Sequence, residues 1–346
     1  MRFALSDEQQ MLQDMLCRFL ADRPDDPWAG LIELGVMGAL FSEAEGGFGG
    51  TGADLAVVFE EIGRADCSLP LIDTVLLPGL LMTAAGRDIA PLIDGRERLA
   101  LAHGELPARY DLNWVEARVD GDRLTGEKSV VVGAEDADRL IVSARHAGDV
   151  DAPAGIGLWL VRPDAEGLII RGYDMAAGGR AAEVTLADTP GEPLLAEAFG
   201  AISKAVAKAT LAQMAETVGA METAVAMTRD YLGTREQFGR PIGSFQALAH
   251  RLVDVMVELE QARSAMILAA GHLDAEPRER DRHIAAAKNI LGRSGRLVAE
   301  EAIQMHGGIA MTDEYALGRF AKRIIMADHR FGDTDHHLEQ FIDLSR

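Results

Sequence analysis

The spacing of hydrophobic residues changes twice along this chain, and these changes restrict the possible folds more than any other feature. Apolar residues recur at helical spacing over residues 1–97, alternate with polar residues over 98–195, and return to helical spacing over 196–346. We therefore predict an α+β protein of three domains with these boundaries, namely an N-terminal helical domain, a middle β domain and a C-terminal helical domain.

The N-terminal domain begins with a helix-start signal and contains a glycine-rich loop. Ser6 followed by Gln9 predicts a capping box at the first helix. Gly47, Gly49 and Gly52 match the G-x-G-x-x-G string of dinucleotide-binding folds, but that pattern requires a buried strand before it. Because a predicted helix precedes these glycines, we interpret GGFGGTG as a loop between helices.

Short apolar runs bounded by turn residues predict the strands of the middle domain. The dipeptide Asp120-Gly121 predicts a hairpin turn after the first of them. The predicted strands cover Val115–Val119, Ser129–Gly133, Leu140–Arg145, Gly157–Arg162 and Ala182–Asp188.

The C-terminal domain is predicted to consist of long helices interrupted by a rigid turn, which we call the elbow (residues 229–250). A helix is expected to stop at Leu232-Gly233, and Pro241 prevents it from continuing. Ser244 is a possible N-cap for the next helix. Further along, Glu276–Asp281 is predicted to be a polar connection that leads to a helix over 284–305.

The elbow presents a guanidinium, a phenyl ring and an amide on a fixed backbone, from Arg235, Phe238 and Gln246. This combination suits an anionic, ring-bearing ligand such as a dinucleotide pyrophosphate. A helical hairpin in which the same side chains make only local contacts explains the residues equally well. From the residues alone, both interpretations stay open.

Charge and cysteine content exclude several classes of partner and compartment. The formal net charge of −21 argues against nucleic acid and anionic membranes as partners. Cys17 and Cys67 are too few for a disulfide framework and are expected to be reduced core residues. The stretch MRFALSDEQQ lacks the apolar core of a signal peptide, and charges and prolines interrupt every apolar run. We expect a cytoplasmic protein.

Two long motifs give the chain a family resemblance. The elbow contains R-x-x-F-G-x-x-I-x-x-F-Q over 235–246, and Gln304-Met-His-Gly-Gly308 is followed by Arg319 and Arg323. Together with the three-domain order, these motifs resemble the acyl-CoA dehydrogenases. The run HGGIAMTDEYALGRFAKR with FGDTDHHL is similar to the small subunits of heteromeric acyl-CoA dehydrogenases, of the pimeloyl-CoA or steroid side-chain type.

The resemblance implies a fold, a cofactor and partners. It implies a middle β-barrel or sandwich, a C-terminal four-helix bundle, and FAD-dependent α,β-dehydrogenation of an acyl-CoA in fatty acid or steroid side-chain degradation. Electron-transfer flavoprotein would accept the electrons, and the assembly would be a homo-oligomer or an α2β2 complex with a second dehydrogenase-like subunit. The implied cofactor-binding residues, several of them reaching a neighbouring subunit's FAD, are Arg235, Phe238, Phe245, Gln246, Gln304, Gly307, Gly308, Thr334 and His336.

The chain departs from the family pattern where the chemistry takes place. Abstraction of the proton α to the thioester requires a base, usually a carboxylate whose pKa is raised by burial. The two family positions for this base fall on Gly332 and Ala209, and Asp333, one residue along, is a weak substitute because its side chain points elsewhere. The flavin-lining segments are also altered, since Val130–Val132 stands where the family has W-I-T.

These departures suggest a subunit that completes a partner's FAD site and lacks its own catalytic base. One alternative is a self-sufficient homomeric enzyme that uses Asp333 or an unidentified base. A second is a non-enzymatic or metal-binding relative, since Asp328–His337 holds three carboxylates and three histidines. Its spacing matches no known ligand set, so a solvated acidic turn without metal is the preferred interpretation of that run.

Overall fold

The computed structural model describes residues 4–22, 24–67 and 69–346, and it confirms the order of helices, sheet and helices. Met1–Phe3, the first residues of the stretch compared with a signal peptide, lie outside the described residues. The α-helices are α1 (Asp7–Ala21), α2 (Pro27–Glu33), α3 (Gly52–Arg64), α4 (Leu77–Ala84), α5 (Ala90–Ile93), α6 (Phe199–Thr234), α7 (Gln246–Gly271), α8 (Pro277–His306), α9 (Leu317–Asp328) and α10 (Thr334–Ser345).

Local signals in the N-terminal region produce the predicted structures. The Ser6 hydroxyl accepts a hydrogen bond from the amide of Gln9, and the Gln9 side chain accepts one from the Ser6 amide, so the capping box is confirmed. The glycine-rich loop precedes α3 and packs on backbone: a Cβ at Gly47 would lie 2.3 Å from the carbonyl oxygens of Gly38 and Phe41. These glycines therefore permit close packing of the chain on itself.

The middle region forms an eight-stranded mixed sheet. Its strand order is β6-β7-β3-β2-β4-β5-β8, and β1 pairs in parallel with β4. The strands are β1 (Leu99–Ala102), β2 (Arg118–Asp120), β3 (Arg123–Val132), β4 (Arg139–Arg145), β5 (Ile156–Val161), β6 (Leu168–Asp174), β7 (Arg180–Pro190) and β8 (Glu192–Leu195). Three of them, β1, β6 and β8, are missing from the sequence-based prediction, because none of these short segments shows a sustained alternation of apolar and polar residues.

The elbow lies between α6 and α7 and is a small hairpin. Strands β9 (Glu236–Gln237) and β10 (Arg240–Pro241) pair around Phe238 and Gly239, which have φ of +55° and +77°. Positive φ at both central residues is the geometry of tight hairpin turns. The proposed N-cap was wrong: the Ser244 hydroxyl donates to the carbonyl of Pro241, and Phe245 precedes α7.

The start of α8 also differs from the prediction. The polar segment Glu276–Asp281 is not a connection, since Pro277 is the first residue of α8. Proline is favourable there because its fixed φ suits a helix and its missing amide hydrogen is not needed. Cys17 is exposed and Cys67 half-buried, and both are free thiols, so the expectation of two core cysteines was wrong for Cys17.

Helices α3 and α6 approach closely and join the N- and C-terminal helical regions. A Cβ at Gly63 would lie 1.9 Å from the carbonyl oxygen of Glu216, and one at Gly219 would lie 2.0 Å from that of Glu60. Only glycine allows this approach. Because α6 also lines the cleft described below, the contact fixes one wall of that cleft.

An ion-pair cluster flanks the same contact. Glu60 and Glu61 of α3 are 8% and 3% exposed. Arg64 pairs with both carboxylates and with Glu222 at 2.6 Å, and Arg263 of α7 also contacts Glu60. Burial raises the pKa of Glu61, while Arg64 opposes that shift. The two glutamates therefore bind α3 to the bundle.

Candidate functional site

A large cleft opens between the sheet and the two helical regions. Its volume is about 1240 Å³, which exceeds that of most drug-sized ligand sites. Its walls come from the N-terminal helices, from the loop after β1, from the β6–β7 hairpin, from α6, and from α9 with α10. The lining residues fall within 69–77, 101–114, 129–136, 173–181, 199–220, 281–284 and 323–340.

The first position expected for the catalytic base leaves no room for a side chain. Gly332 has a φ of +108° and is buried beside the cleft. A Cβ built on it would lie 2.5 Å from Nε2 of His337 and 2.7 Å from Cδ2 of His336. The second position, Ala209, is completely buried in α6. Neither position can supply a carboxylate to the cleft.

Asp333, the substitute considered for the base, serves as the N-cap of α10. Its carboxylate accepts a hydrogen bond from the His336 amide at 2.9 Å and another from the Tyr110 hydroxyl. Burial alone would raise the pKa of Asp333, but these hydrogen bonds and the Arg109 guanidinium outweigh it, so the pKa lies below its ordinary value. A carboxylate that is stabilised in its charged form is a weak general base.

The sheet contributes a buried polar network to the wall of the cleft. Lys128 on β3 is fully buried and donates hydrogen bonds to Glu105 at 2.6 Å and to Ser143 at 2.9 Å. Burial lowers the pKa of Lys128 to about 8, and Glu105 counteracts this shift. Glu105 also accepts hydrogen bonds from the amides of Glu116 and Ala117. The network holds the loop after β1 against β3 and β4.

The following residues of β3 offer mainly apolar groups. Val130 has a φ of +55° and is 59% exposed, and the pairing of β3 with β7 is irregular between Lys128 and Val131. No indole or hydroxyl side chain is available from Val130–Val132 to contact a ring system.

The elbow residues project into solvent, away from the cleft. All residues from 233 to 240 are exposed, and Phe238 is 92% exposed at a positive φ. Phe238 makes an edge contact with Phe245, whose ring lies under the Arg240 guanidinium at 4.0 Å. Phe238 is therefore an exposed aromatic side chain on a backbone conformation that L-residues rarely adopt.

The end of α8 lies beside the end of α6, which brings the two motifs together. His306 stacks on Tyr231 with ring centroids 4.4 Å apart, and its Nε2 lies 3.1 Å from the Tyr315 hydroxyl. Tyr231 is four residues before Arg235, and His306 directly precedes Gly307. This contact therefore brings the elbow motif (235–246) next to the motif at 304–308.

The glycines at this helix end are open to a ligand. At Gly307 and Gly308, no heavy atom of the described residues lies within 4 Å of an added Cβ, and both glycines are exposed, as are Gln304 and Gln246. We call the exposed surface formed by the elbow and residues 304–308 the projecting surface. It carries a guanidinium, an open glycine backbone and an aromatic ring, which are groups that contact phosphates and ring systems.

Thr334 and His336 lie apart from the projecting surface, at the start of α10. The Thr334 hydroxyl donates to Asp328 at 2.9 Å, and the His336 ring lines the cleft beside Tyr110. Within the described residues, no group of three ligand atoms converges in the run Asp328–His337: the Asp333 carboxylate caps α10, and Nε2 of His337 lies 2.9 Å from the carbonyl oxygen of Phe331. It is also not a solvated turn throughout, since His337 is buried.

Arg319 and Arg323, which belong to the second motif, stabilise the fold. Arg319 pairs with Asp66, and Arg323 donates to the carbonyl of Ala65 at 2.7 Å and to Glu216 at 3.1 Å. Both arginines therefore bind α9 to the end of α3 and to α6.

Two residues of the cleft were not identified from the sequence. Oε1 of Gln213 and Nε1 of Trp114 are buried, line the cleft, and have no hydrogen-bond partner among the described residues. Buried polar atoms are normally paired, so both are available to a ligand. Gln213 is a polar residue in the apolar stretch of α6, and that contrast was a usable signal. Nothing in the sequence distinguishes Trp114.

Replacement of His337 should flatten the pH dependence of stability. Burial, with Lys288 and His336 nearby, lowers the pKa of His337 to about 4. Below pH 6.5 this histidine is protonated in the unfolded chain but stays neutral in the folded chain. The free energy of unfolding therefore falls as the pH is lowered from 6.5 to about 4. In urea unfolding at pH 6.5 and pH 5, wild type should lose about 2 kcal/mol more than His337→Gln.

The matched control for this experiment is the exposed residue His329. His329→Gln should reproduce the wild-type pH profile. Equal slopes for wild type and His337→Gln would contradict the assignment of the acid-labile stability to His337.

Comparison with known proteins gives the same fold for chains of similar length. The ChsE4-ChsE5 complex from Mycobacterium tuberculosis superposes with a TM-score of 0.86 at 22% identity, covering 99% of this chain and 98% of the other. A variant of the Tcur3481-Tcur3483 steroid ACAD superposes with a TM-score of 0.85 at 29% identity, covering 98% of each chain. The architecture is that of the acyl-CoA dehydrogenases.

The sequence comparisons agree with the fold. Residues 6–85 match the family model "Acyl-CoA dehydrogenase, N-terminal domain", and residues 199–342 match "Acyl-CoA dehydrogenase, C-terminal domain". Acyl-CoA dehydrogenase IpdE2 of Mycobacterium tuberculosis is 29% identical, over 92% of this chain and 91% of the relative. The chain belongs to the acyl-CoA dehydrogenase family, whose members are FAD-dependent oxidoreductases acting on the CH–CH bond of acyl-CoA. No helix within the described residues is long and apolar enough to cross a membrane.

Proposed function

We propose that this chain is the subunit of a heteromeric, FAD-dependent acyl-CoA dehydrogenase that completes a partner's FAD site and has no catalytic base of its own. The observation that carries the proposal is Gly332, where the backbone conformation and the His337 ring leave no space for a carboxylate. Asp333 is engaged as a helix cap, and Ala209 is inert. The partner would therefore supply the base.

The projecting surface supports the other half of the proposal. Arg235 would bind the FAD pyrophosphate of the partner, because a guanidinium can donate two parallel hydrogen bonds to phosphate oxygens. Gly307 and Gly308 would let backbone amides approach the phosphates. Phe238, Phe245, Gln246 and Gln304 would line the rest of the cofactor. FAD held by these residues would supply the hydride acceptor for α,β-dehydrogenation of the acyl group.

The assignment of partner and substrate draws on relatives. The structural neighbours include the ChsE4-ChsE5 complex and a steroid ACAD variant. We infer an α2β2 assembly acting on an acyl-CoA from fatty acid or steroid side-chain degradation, with electron-transfer flavoprotein as the electron acceptor. Two free thiols suit a cytoplasmic location.

A self-sufficient homomeric enzyme is the second candidate, and the open cleft favours it. The cleft retains its volume and the unpaired polar atoms of Gln213 and Trp114, so this chain could still bind a ligand of its own. In that case Asp333 or an unidentified residue would act as the base. The depressed pKa of Asp333 weighs against this alternative.

Flavin content and activity distinguish the two candidates. The chain is purified alone and after co-expression with a second dehydrogenase-like chain encoded by a neighbouring open reading frame. Bound flavin is then measured by absorbance, and acyl-CoA oxidation is measured with a dye acceptor. We expect stoichiometric flavin and turnover only in the co-expressed complex. Stoichiometric FAD and full activity in the chain alone would show that the second candidate is correct.

A further inference from the structure

The turn between α7 and α8 holds two histidines and a glutamate in close proximity. The ligand atoms of His272, Glu279 and His283 all lie within 4.8 Å of one another, and Nε2 of His272 is 3.7 Å from Oε1 of Glu279. The two imidazole rings stack with centroids 3.7 Å apart. None of these residues lines the large cleft or belongs to the projecting surface.

The hydrogen bonding of His272 prepares one ring nitrogen as a ligand. Its Nδ1 lies 2.9 Å from the carbonyl oxygen of Leu268, and a carbonyl can only accept, so Nδ1 carries the hydrogen. The lone pair is then on Nε2, which faces Glu279. A backbone carbonyl that fixes the tautomer in this way is the usual second partner of a metal-binding histidine.

The three groups need only a small adjustment to share an ion. Zinc binds imidazole nitrogen and carboxylate oxygen at about 2.0–2.2 Å, so ligand atoms of a tetrahedral site lie about 3.3 Å apart. Glu279 and His283 are four residues apart on α8 and therefore occupy one face of that helix. His272 is the C-cap of α7. All three side chains are at least partly exposed and can change rotamer.

We propose that His272, Glu279 and His283 form a binding site for a divalent transition-metal ion of the zinc type. Two imidazoles and one carboxylate are a donor set for Zn²⁺, and this set does not suit Mg²⁺ or Ca²⁺, which prefer oxygen ligands. Water completes the coordination. The ion links the end of α7 to the first turns of α8 and so fixes the α7–α8 turn. The site is independent of the dehydrogenase assignment.

Metal titration of the full chain tests this proposal. After treatment with EDTA and dialysis, Zn²⁺ binding is measured by calorimetry, and Co²⁺ is added separately to observe the visible absorption of a tetrahedral site. We expect saturation at one equivalent and a rise in the melting temperature. His272→Ala and His283→Ala should each abolish this binding, and Glu279→Gln should weaken it about tenfold or more, which corresponds to about 1.4 kcal/mol.

A histidine–glutamate pair elsewhere on the chain, with no third ligand near it among the described residues, provides a matched control. Nε2 of His146 lies 3.4 Å from Oε1 of Glu197 on another part of the surface, and His146→Ala should leave Zn²⁺ binding unchanged. The melting temperature of each variant without metal verifies that it is folded, and either histidine variant suffices if the other does not fold. Absence of saturable binding, or binding that survives both histidine substitutions, overturns the proposal.

Discussion

Gly332→Glu is expected to destabilise the fold by about 2–6 kcal/mol and to produce no acyl-CoA dehydrogenation by the chain alone. The first part of the cost is conformational, because φ at this position is +108°, where an L-residue is strained. The second part is steric, because the new Cβ would lie 2.5 Å from Nε2 of the buried His337. Restoration of the family's carboxylate therefore damages the site that it is meant to repair.

Two further variants separate these contributions. Gly86 also has a positive φ, +69°, but no heavy atom of the described residues lies within 4 Å of an added Cβ. Gly86→Glu should therefore show only the conformational cost, about 1–3 kcal/mol. In the double variant Gly332→Glu/His337→Ala, part of the steric cost should be relieved. Urea unfolding gives the free energy of unfolding of the two single variants and of the double variant. A stable Gly332→Glu protein that oxidises acyl-CoA alone would contradict the half-site proposal.

Most of the fold could be predicted from the sequence because its signals are local. The capping box at Ser6, the glycine-rich loop and the change of hydrophobic period each depend on residues within a few positions of one another. Predictions were wrong where two local rules competed. Ser244 is a good N-cap residue, yet its hydroxyl bonds to Pro241, and the charged segment after Glu276 is helical because Pro277 starts α8.

The candidate site was less predictable because it depends on contacts between distant segments. The sequence shows that position 332 is glycine. The structure shows why a larger residue does not fit there, since the ring of His337, five residues later, would contact an added Cβ. The proximity of the two motifs depends on the stacking of Tyr231 on His306, which are 75 residues apart by their numbers. His306 belongs to one of the two motifs, but its stacking partner Tyr231 is visible only in the structure.

The same division explains why the metal site was missed. His272 and His283 lie 11 residues apart in the sequence, whereas the run Asp328–His337 holds six potential ligands within ten residues. In the folded chain, Asp333 caps α10 and His337 bonds to a backbone carbonyl. His272, Glu279 and His283, by contrast, come together across the α7–α8 turn. The number of potential ligands in a stretch of sequence is therefore a poorer predictor of a metal site than the distances between ligand atoms in the folded chain.

Arg235→Ala should lower the affinity of the heteromeric complex for FAD about 10- to 100-fold while leaving this chain folded. Loss of a charge-assisted hydrogen bond to a phosphate costs about 1.5–3 kcal/mol. Arg235 is exposed on the elbow, so its removal creates no cavity in the chain itself. Arg235→Lys keeps the charge but loses the planar fork, and it should give an intermediate affinity. Flavin release is followed by fluorescence during dilution of the complex.

The control variant must remove one positive charge, as Arg235→Ala does, but leave the projecting surface intact. Arg162 is an exposed arginine just after β5 that pairs with Asp164 at 3.3 Å, and Arg162→Ala should retain FAD like the wild type. A loss of FAD in both variants would indicate a general electrostatic effect. Retention of FAD in Arg235→Ala would mean that the elbow does not reach a partner's cofactor, and the open cleft of this chain would then become the better candidate for the flavin site.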